Sequence, residues 1–239
     1  MPYREQRPPT ALHGAVECVW SLDVPGGAVL PDGCMDIVWS NGRLLVAGPD
    51  TVPNTRPRSG SASGVRFQPG ALPALLGVPA VDLRDRRIPL SEFHPALADP
   101  AVARLEHGED PATVLVDIAV QLPGEQPEPW RLGVLRGAAR GHAAAEVADA
   151  LGWTTRTLHR HCLAAFGYGP ATLRRVLRFR RALALLQAGT APAEVAARAG
   201  YADQPHLSRE VRGLAGATPA QLSGVNRSTP VPSGSTTVA

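Results

Sequence analysis

Residues 192–219 read PAEVAARAGYADQPHLSREVRGLAGATP, and residues 143–170 read AAAEVADALGWTTRTLHRHCLAAFGYGP. Both begin with a short run whose apolar positions recur at helical spacing: Val195, Ala196 and Ala199 in one, Val147, Ala148 and Leu151 in the other. Each run meets a glycine, Gly200 or Gly152, that can take the positive φ needed to turn the chain. A capping residue follows, Asp203 or Thr154, whose side-chain oxygen can accept a bond from an orphaned amide at the start of the next helix. That helix sets Leu207 and Val211, or Leu158 and Cys162, four residues apart on an inward face. A helix, a glycine-containing turn and a capped second helix make a helix-turn-helix unit, and the unit occurs twice. The stretch between them, ATLRRVLRFRRALALLQAG, reads as one long helix.

With Leu207 and Val211 inward, Gln204, Pro205, Ser208 and Arg212 form the most continuous outward strip of the second unit, and Arg209 sits on its flank. The outward set of the first unit is Arg156, His159 and Arg160, continued by Leu163, an apolar residue better suited to packing on a neighbouring helix. Side chains at the start of such a helix can enter a major groove, where arginine pairs bidentately with guanine and glutamine with adenine. Pro205 is tolerable there because its missing amide would be unpaired at a helix start anyway. A long connector would hold the reading helices about 34 to 36 Å apart, one duplex turn, so that both enter successive grooves. Thr154, Asp203, Arg174, Arg175 and Arg209 are candidates for phosphate contact or for structural roles. The arginines at 174, 175, 178, 180 and 181 cannot all face DNA, so some pair with acids or cover the helix stem.

Charge supports a nucleic-acid partner. Residues 1–130 hold 10 arginines against 16 acids, and residues 131–239 hold 14 arginines against 5 acids, so a formal +3 conceals −6 and +9. All of the basic charge is arginine, a planar donor fork for phosphate oxygens and base edges. High genomic GC content would give the same choice over lysine, so the location of the charge carries the argument. The apolar content of 44% excludes a wholly disordered chain, and 239 residues suit two ordinary domains. Three separated cysteines, Cys18, Cys34 and Cys162, no secretion-signal core at the start and no membrane-length apolar run point to a cytoplasmic protein.

The amino-terminal half reads differently. AVECVWSL, CMDIVWS, RLLVAG and GVRFQPG are strand-length runs separated by PGG, PDG, NG and RSGSASG, for which an antiparallel barrel or sandwich is the natural solution. GALPALLGV reads as a short helix, and the segment from Val52 to Gly64 as a mobile loop. Helical spacing returns over residues 99–120, and PGEQPEPW marks a boundary before the basic half. The expected organisation is a flexible start (1–11), a barrel-like sensory domain (12–98), a helical connector (99–129), a double helix-turn-helix domain (130–223) and a Ser/Thr/Pro-rich disordered tail (224–239).

The sequences AARAGYADQPHLSREVRGLAGATPAQL and VADALGWTTRTLHRHCLAAFGYGPATLRRVLRFRRALALL resemble the two units and linker helix of the DNA-binding domain of AraC/XylS-type bacterial transcription regulators, over about residues 130–223. The resemblance implies seven helices, an asymmetric DNA site and base reading by Arg156, His159 and Arg160 from one unit and by Gln204, Pro205, Ser208 and Arg212 from the other. The family usually has phenylalanine at the positions of Leu207 and Val211, and often an aromatic at Cys162. The smaller residues here predict a less stable core rather than lost DNA binding. LPDGCMDIVWSNGRLLVAGPDT and GVRFQPGALPALLGVPAVDLRDRRIPL resemble the sensory domain found ahead of such DNA-binding domains, which implies a degenerate cupin-like barrel. The fold class expected is therefore a two-domain α+β protein, a mainly β barrel-like domain followed by an all-α domain with two helix-turn-helix units.

No cofactor is implied. His13 and His94 lie too far apart for a cupin metal centre, and Asp32 and Asp36 flank Cys34 without a histidine nearby. Cys34 reads as a redox sensor or as a buried strand cysteine. Trp20, Trp39, Arg66 and Phe67 either line an effector pocket or form barrel core. DLRDRR, residues 82–87, reads as a charged turn or as a contact with another domain or subunit. The expected partners are double-stranded DNA at an asymmetric promoter site, RNA polymerase, a small-molecule effector and a second copy of the chain, with no membrane. The alternative function is a small-barrel enzyme with an accessory nucleic-acid-binding helical domain, although no nucleophile–base pair or phosphate loop stands out.

Overall fold

In the computed structural model, which describes residues 3–23, 28–55 and 60–224, the amino-terminal half is organised by a hairpin. Asn41 and Gly42, at φ 51° and 67°, form the two-residue turn between β3 (Met35–Ser40) and β4 (Arg43–Ala47), since an Asn-Gly turn matches the twist of the flanking strands. β5 (Ala62–Phe67) pairs with the other side of β3, and β2 (Val16–Leu22) pairs with β5. β1 (Arg4–Gln6), in the stretch read as a flexible start, and β6 (Arg87–Pro89) form the margins. The order is β1-β2-β5-β3-β4-β6, with every neighbouring pair antiparallel.

The barrel-like expectation, and the cupin-like barrel with it, is overturned. β1 and β6 lie at opposite margins and do not pair, so the sheet is open. The reason is on one face of the sheet. After short helices α1 (Leu72–Leu76) and α2 (Ala80–Leu83), α3 (Pro95–Glu106) and α4 (Pro111–Gln121) follow in the stretch read as a connector. Val114, Leu115, Ile118 and Ala119 of α4 share a core with Val19, Ile37, Val65 and Phe67 of the sheet. A sheet whose apolar face is buried by helices has no need to close on itself.

Seven helices follow among the described residues: α5 (Trp130–Ala139), α6 (Ala144–Ala150), α7 (Thr155–Phe166), α8 (Pro170–Gln187), α9 (Pro192–Ala199), α10 (Gln204–Ala215) and α11 (Pro219–Gly224). α8 seeds two separate cores. Leu173 and Val176 pack with Val147, Ala148, Leu158, Cys162 and Phe166. One turn further on, Phe179, Ala182, Leu183 and Leu186 pack with Val195, Ala196, Ala199, Leu207 and Val211. Of the predicted disordered tail, residues 225–239 lie outside the described residues, as do residues 56–59 of the predicted mobile loop; that loop's last residues, Ala62 to Gly64, begin β5. No helix among the described residues is long and apolar enough to cross a membrane.

Candidate nucleic-acid interface

Both helix-turn-helix units are built as their spacing requires. Gly152 and Gly200 turn the chain at φ 68° and 81°. The Thr154 side chain accepts a hydrogen bond from Thr157 N at 3.1 Å, and Asp203 accepts one from His206 N at 2.6 Å, so each second helix begins on a satisfied amide. Leu158, Cys162, Leu207 and Val211 are fully buried. Burial of one face leaves the other presented to solvent at the capped, electropositive end of each helix.

Arg156, His159 and Arg160 are exposed on α7; on α10 Gln204, Pro205, Arg209 and Arg212 are exposed and Ser208 is half-buried. Arg156, Arg160, Arg209 and Arg212 have no ion-pair or hydrogen-bond partner among the described residues, which leaves their guanidinium forks available. His159 leans toward the start of α8, since a Cβ added at Gly169 would lie 2.8 Å from its Nε2. Arg174 is engaged, donating to the backbone carbonyls of His142 at 3.2 Å and Gly141 at 3.4 Å. Arg175 is engaged too, donating through Nε to Glu210 at 2.8 Å.

Glu210 is a residue that the sequence reading missed. It sits on α10 and receives Arg175 and, at 3.5 Å, Arg178 of α8. The Arg178 guanidinium also lies 4.5 Å over the Tyr201 ring in the turn of the second unit. These contacts fix the roll of α10 against α8. In the first unit the corresponding staple is aromatic: Trp153 of the turn stacks on His161 of α7 at 4.5 Å between centroids, and the Trp130 ring meets His161 edge-on at 5.1 Å. An acid 35 residues from its arginine leaves no local signal in the sequence.

The proposed effector-pocket residues do not come together. Registers that pair Trp20 with Gly64 and Cys18 with Arg66 put Trp20 and Arg66 on one face of the sheet. Strict alternation puts Phe67 and Trp39 on the other, where Phe67 is in the core and Trp39 packs against it. Trp20 lies across Gly64, where an added Cβ would be 2.5 Å from the indole, and its Nε1 donates to Asp36 at 2.7 Å. Arg66, 2% exposed, has its Nε 3.4 Å from Asp36 and 3.7 Å from Asp32, ion-pair distances without hydrogen-bond geometry. Burial pushes the Asp36 carboxyl up despite the pull of Arg66. All three cysteines are free and buried, and burial raises the Cys34 thiol well above its ordinary range. Among the described residues, no group of three or more His, Cys, Asp or Glu is placed to hold a metal ion.

The helical and sheet regions are joined by buried polar contacts. Arg131 of α5 donates to the carbonyls of Pro69 and Gly14, both at 2.9 Å. Arg180 of α8 donates to Glu17 of β2 at 2.6 Å.

Residues 147–224 match the family model described as a helix-turn-helix domain, and residues 4–89 match that of a domain of unknown function (DUF6597). No curated protein matches the chain. Among solved structures, ToxT from Vibrio cholerae O395 is similar at 10% identity and a TM-score of 0.49, covering 88% of this chain and 97% of its own. ToxT from the same strain bound to (E)-4-(8-methylnaphthalen-1-yl)but-3-enoic acid gives 10% identity, a TM-score of 0.46, and 95% and 100% coverage. The xylose-binding transcription activator XylR gives 15% identity and a TM-score of 0.37, covering 60% of this chain and 40% of its own. A chain that presents two capped, exposed second helices from one shared scaffold helix is a two-unit helix-turn-helix protein. Its helix-turn-helix domain follows an open-sheet domain of the kind described as of unknown function.

Proposed function

We propose that this protein is a transcriptional regulator of the AraC type and binds a single asymmetric promoter site by placing α7 and α10 in successive major grooves. Arg156, His159 and Arg160 read one half, and Gln204, Pro205, Ser208 and Arg212 read the other. The two reading faces carry different side chains, so the site has no dyad, and one chain suffices to bind it without a second copy. The observation that carries this reading is the pairing of capped, exposed amino-terminal halves on α7 and α10 with opposite faces buried in cores seeded by one helix. Affinity comes largely from arginine–phosphate contacts and discrimination from the outward side chains. Control enters through the sheet domain, where an effector alters the buried contacts that tie it to α5 and α8; the readout is recruitment or exclusion of RNA polymerase at the promoter.

The test is selection of genome fragments with purified full-length protein, followed by titration of the enriched and scrambled duplexes at fixed salt. The expected result is one asymmetric site spanning two successive major grooves, bound at least ~1000-fold more tightly than scrambled DNA. Uniform, steeply salt-dependent binding would reduce the helical domain to a nonspecific polycation. An effector that binds the sheet domain yet leaves DNA affinity and transcription unchanged would remove the regulatory half of the proposal.

A further inference from the structure

Both reading helices end on a glycine, Gly167 after α7 and Gly216 after α10. Both ends face the same short segment of the sheet domain. A Cβ on Gly167 would lie 2.5 Å from Pro49 Cγ and 3.2 Å from the Ala80 carbonyl oxygen, so the chain at that cap is pressed against the sheet domain. A Cβ on Gly216 would lie 3.8 Å from Pro53 Cγ. The chain from Pro49 to Pro53 can span at most about 14 Å when fully extended.

The segment is braced along its length. Asp85 N donates to the Pro49 carbonyl at 3.1 Å. Arg87 grips the Asp50 carboxylate with two bonds, at 2.9 and 2.6 Å. Thr51 donates its amide and its hydroxyl to the Asp85 carboxylate at 2.7 and 2.8 Å. Asn54 exchanges two backbone bonds with Val29, at 2.9 and 3.0 Å. Asp85 holds φ at 57°, a left-handed conformation that few non-glycine residues adopt and that persists only where its surroundings hold it.

Residues beside the braced segment also reach both units. Arg84 donates to the carbonyl of Gly167, the cap that follows α7, at 3.3 Å. Leu30, next to Val29, is 6% exposed and sits in the core of the second unit with Phe179, Leu183, Leu186 and Leu222. The charged run DLRDRR thus supplies the braces, and Leu30 supplies an apolar plug to the core of the second unit. The shared helix α8, with the Arg175 and Arg178 contacts to Glu210, gives the two units one line of support. A second line of contact, from Gly167 to Gly216 by way of residues 49–54, braces them independently of α8.

We propose that residues 49–54, braced by Arg84, Asp85 and Arg87, are a strut that fixes the spacing and roll of α7 relative to α10. The sheet domain thereby determines which separation between the two halves of a DNA site the protein accepts. This rests on the reading that α7 and α10 both enter DNA.

The experiment uses the full chain and the duplex recovered by selection from a random library, remade with the two half-sites moved one base pair closer or further apart. The wild type should prefer the selected spacing by roughly tenfold, the penalty of a single misplaced element. Asp85→Ala removes the Thr51 bonds and burdens the left-handed backbone; it should flatten that preference while leaving binding to each half-site alone unchanged. Asp85→Asn keeps an acceptor and tolerates the backbone, so it should restore the wild-type profile. An Asp85→Ala protein that unfolds cooperatively and keeps the wild-type spacing preference overturns the strut. If Asp85→Ala does not fold, Leu30→Ala and Pro53→Ala carry the test, and unaltered spacing profiles in both overturn it. A wild type that selects no sequence fails at the earlier step, in DNA reading itself, and the strut's role falls with it.

Discussion

Glu17 of β2 and Arg180 of α8 meet at 2.6 Å with only 14% of either side chain exposed, so the long helix is pinned to the sheet by an ion pair largely out of water. Removing one partner of such a pair leaves an uncompensated charge, which costs more than the pair contributes. Glu17→Ala should destabilise the protein by about 3 kcal/mol in urea denaturation, the lower end of the range for breaking a buried pair because some solvent reaches it. Glu17→Ala combined with Arg180→Met should recover most of the loss. A single-variant cost below about 1 kcal/mol would class the pair with solvent-screened surface bridges.

Arg160 separates base reading from phosphate contact. It is exposed on the outward face of α7 and has no ion-pair or hydrogen-bond partner among the described residues. If it forks a guanine, Arg160→Ala should cost about 1 to 3 kcal/mol of discrimination between the selected site and a variant at one base pair. Titrations of both duplexes at fixed salt measure this. Equal weakening on the two would assign Arg160 to phosphate.

The caps make a prediction that is local to each unit. Thr154→Ala and Asp203→Ala each remove an acceptor from an exposed helix start and should cost about 1 kcal/mol, while Thr154→Ser and Asp203→Asn should cost little. Half-site titrations add a positional readout: the Asp203 variant should weaken binding to the α10 half, and the Thr154 variant binding to the α7 half. A shared loss on both halves would mean that the caps act through global stability alone.

The helical half was legible because its information is local. Glycine, cap and inward pair fall within a dozen residues of each other, and the structure builds Gly152, Thr154, Leu158 and Cys162 into one unit as their spacing demands. The open sheet was not legible, because closure depends on whether something else covers the apolar face, and Leu115 and Ile118 of α4 do so from some 50 residues beyond Val65 and Phe67. The same distance in sequence hid the partners of the arginines. Arg175 and Arg180 look equally free until Glu210 and Glu17 are brought beside them. Trp20 and Phe67 read as one aromatic wall only until strand register puts them on opposite faces.

The cysteines close the question of redox sensing with one measurement. Burial pushes the thiols of Cys18 and Cys162 up to about 12 and raises that of Cys34 as well, even though Arg180 lies beside it. At pH 8 the native thiols are therefore protonated, and the thiolate is the form that reacts with alkylating agents and oxidants. Iodoacetamide at pH 8 should leave all three unmodified in the folded protein for as long as it stays folded, and modify all three in 6 M guanidinium. Mass spectrometry of timed samples distinguishes the cases. Rapid modification of Cys34 alone in the folded protein would show that its site opens to solvent while the fold persists, and would restore it as a sensor beside the Glu17–Arg180 pair.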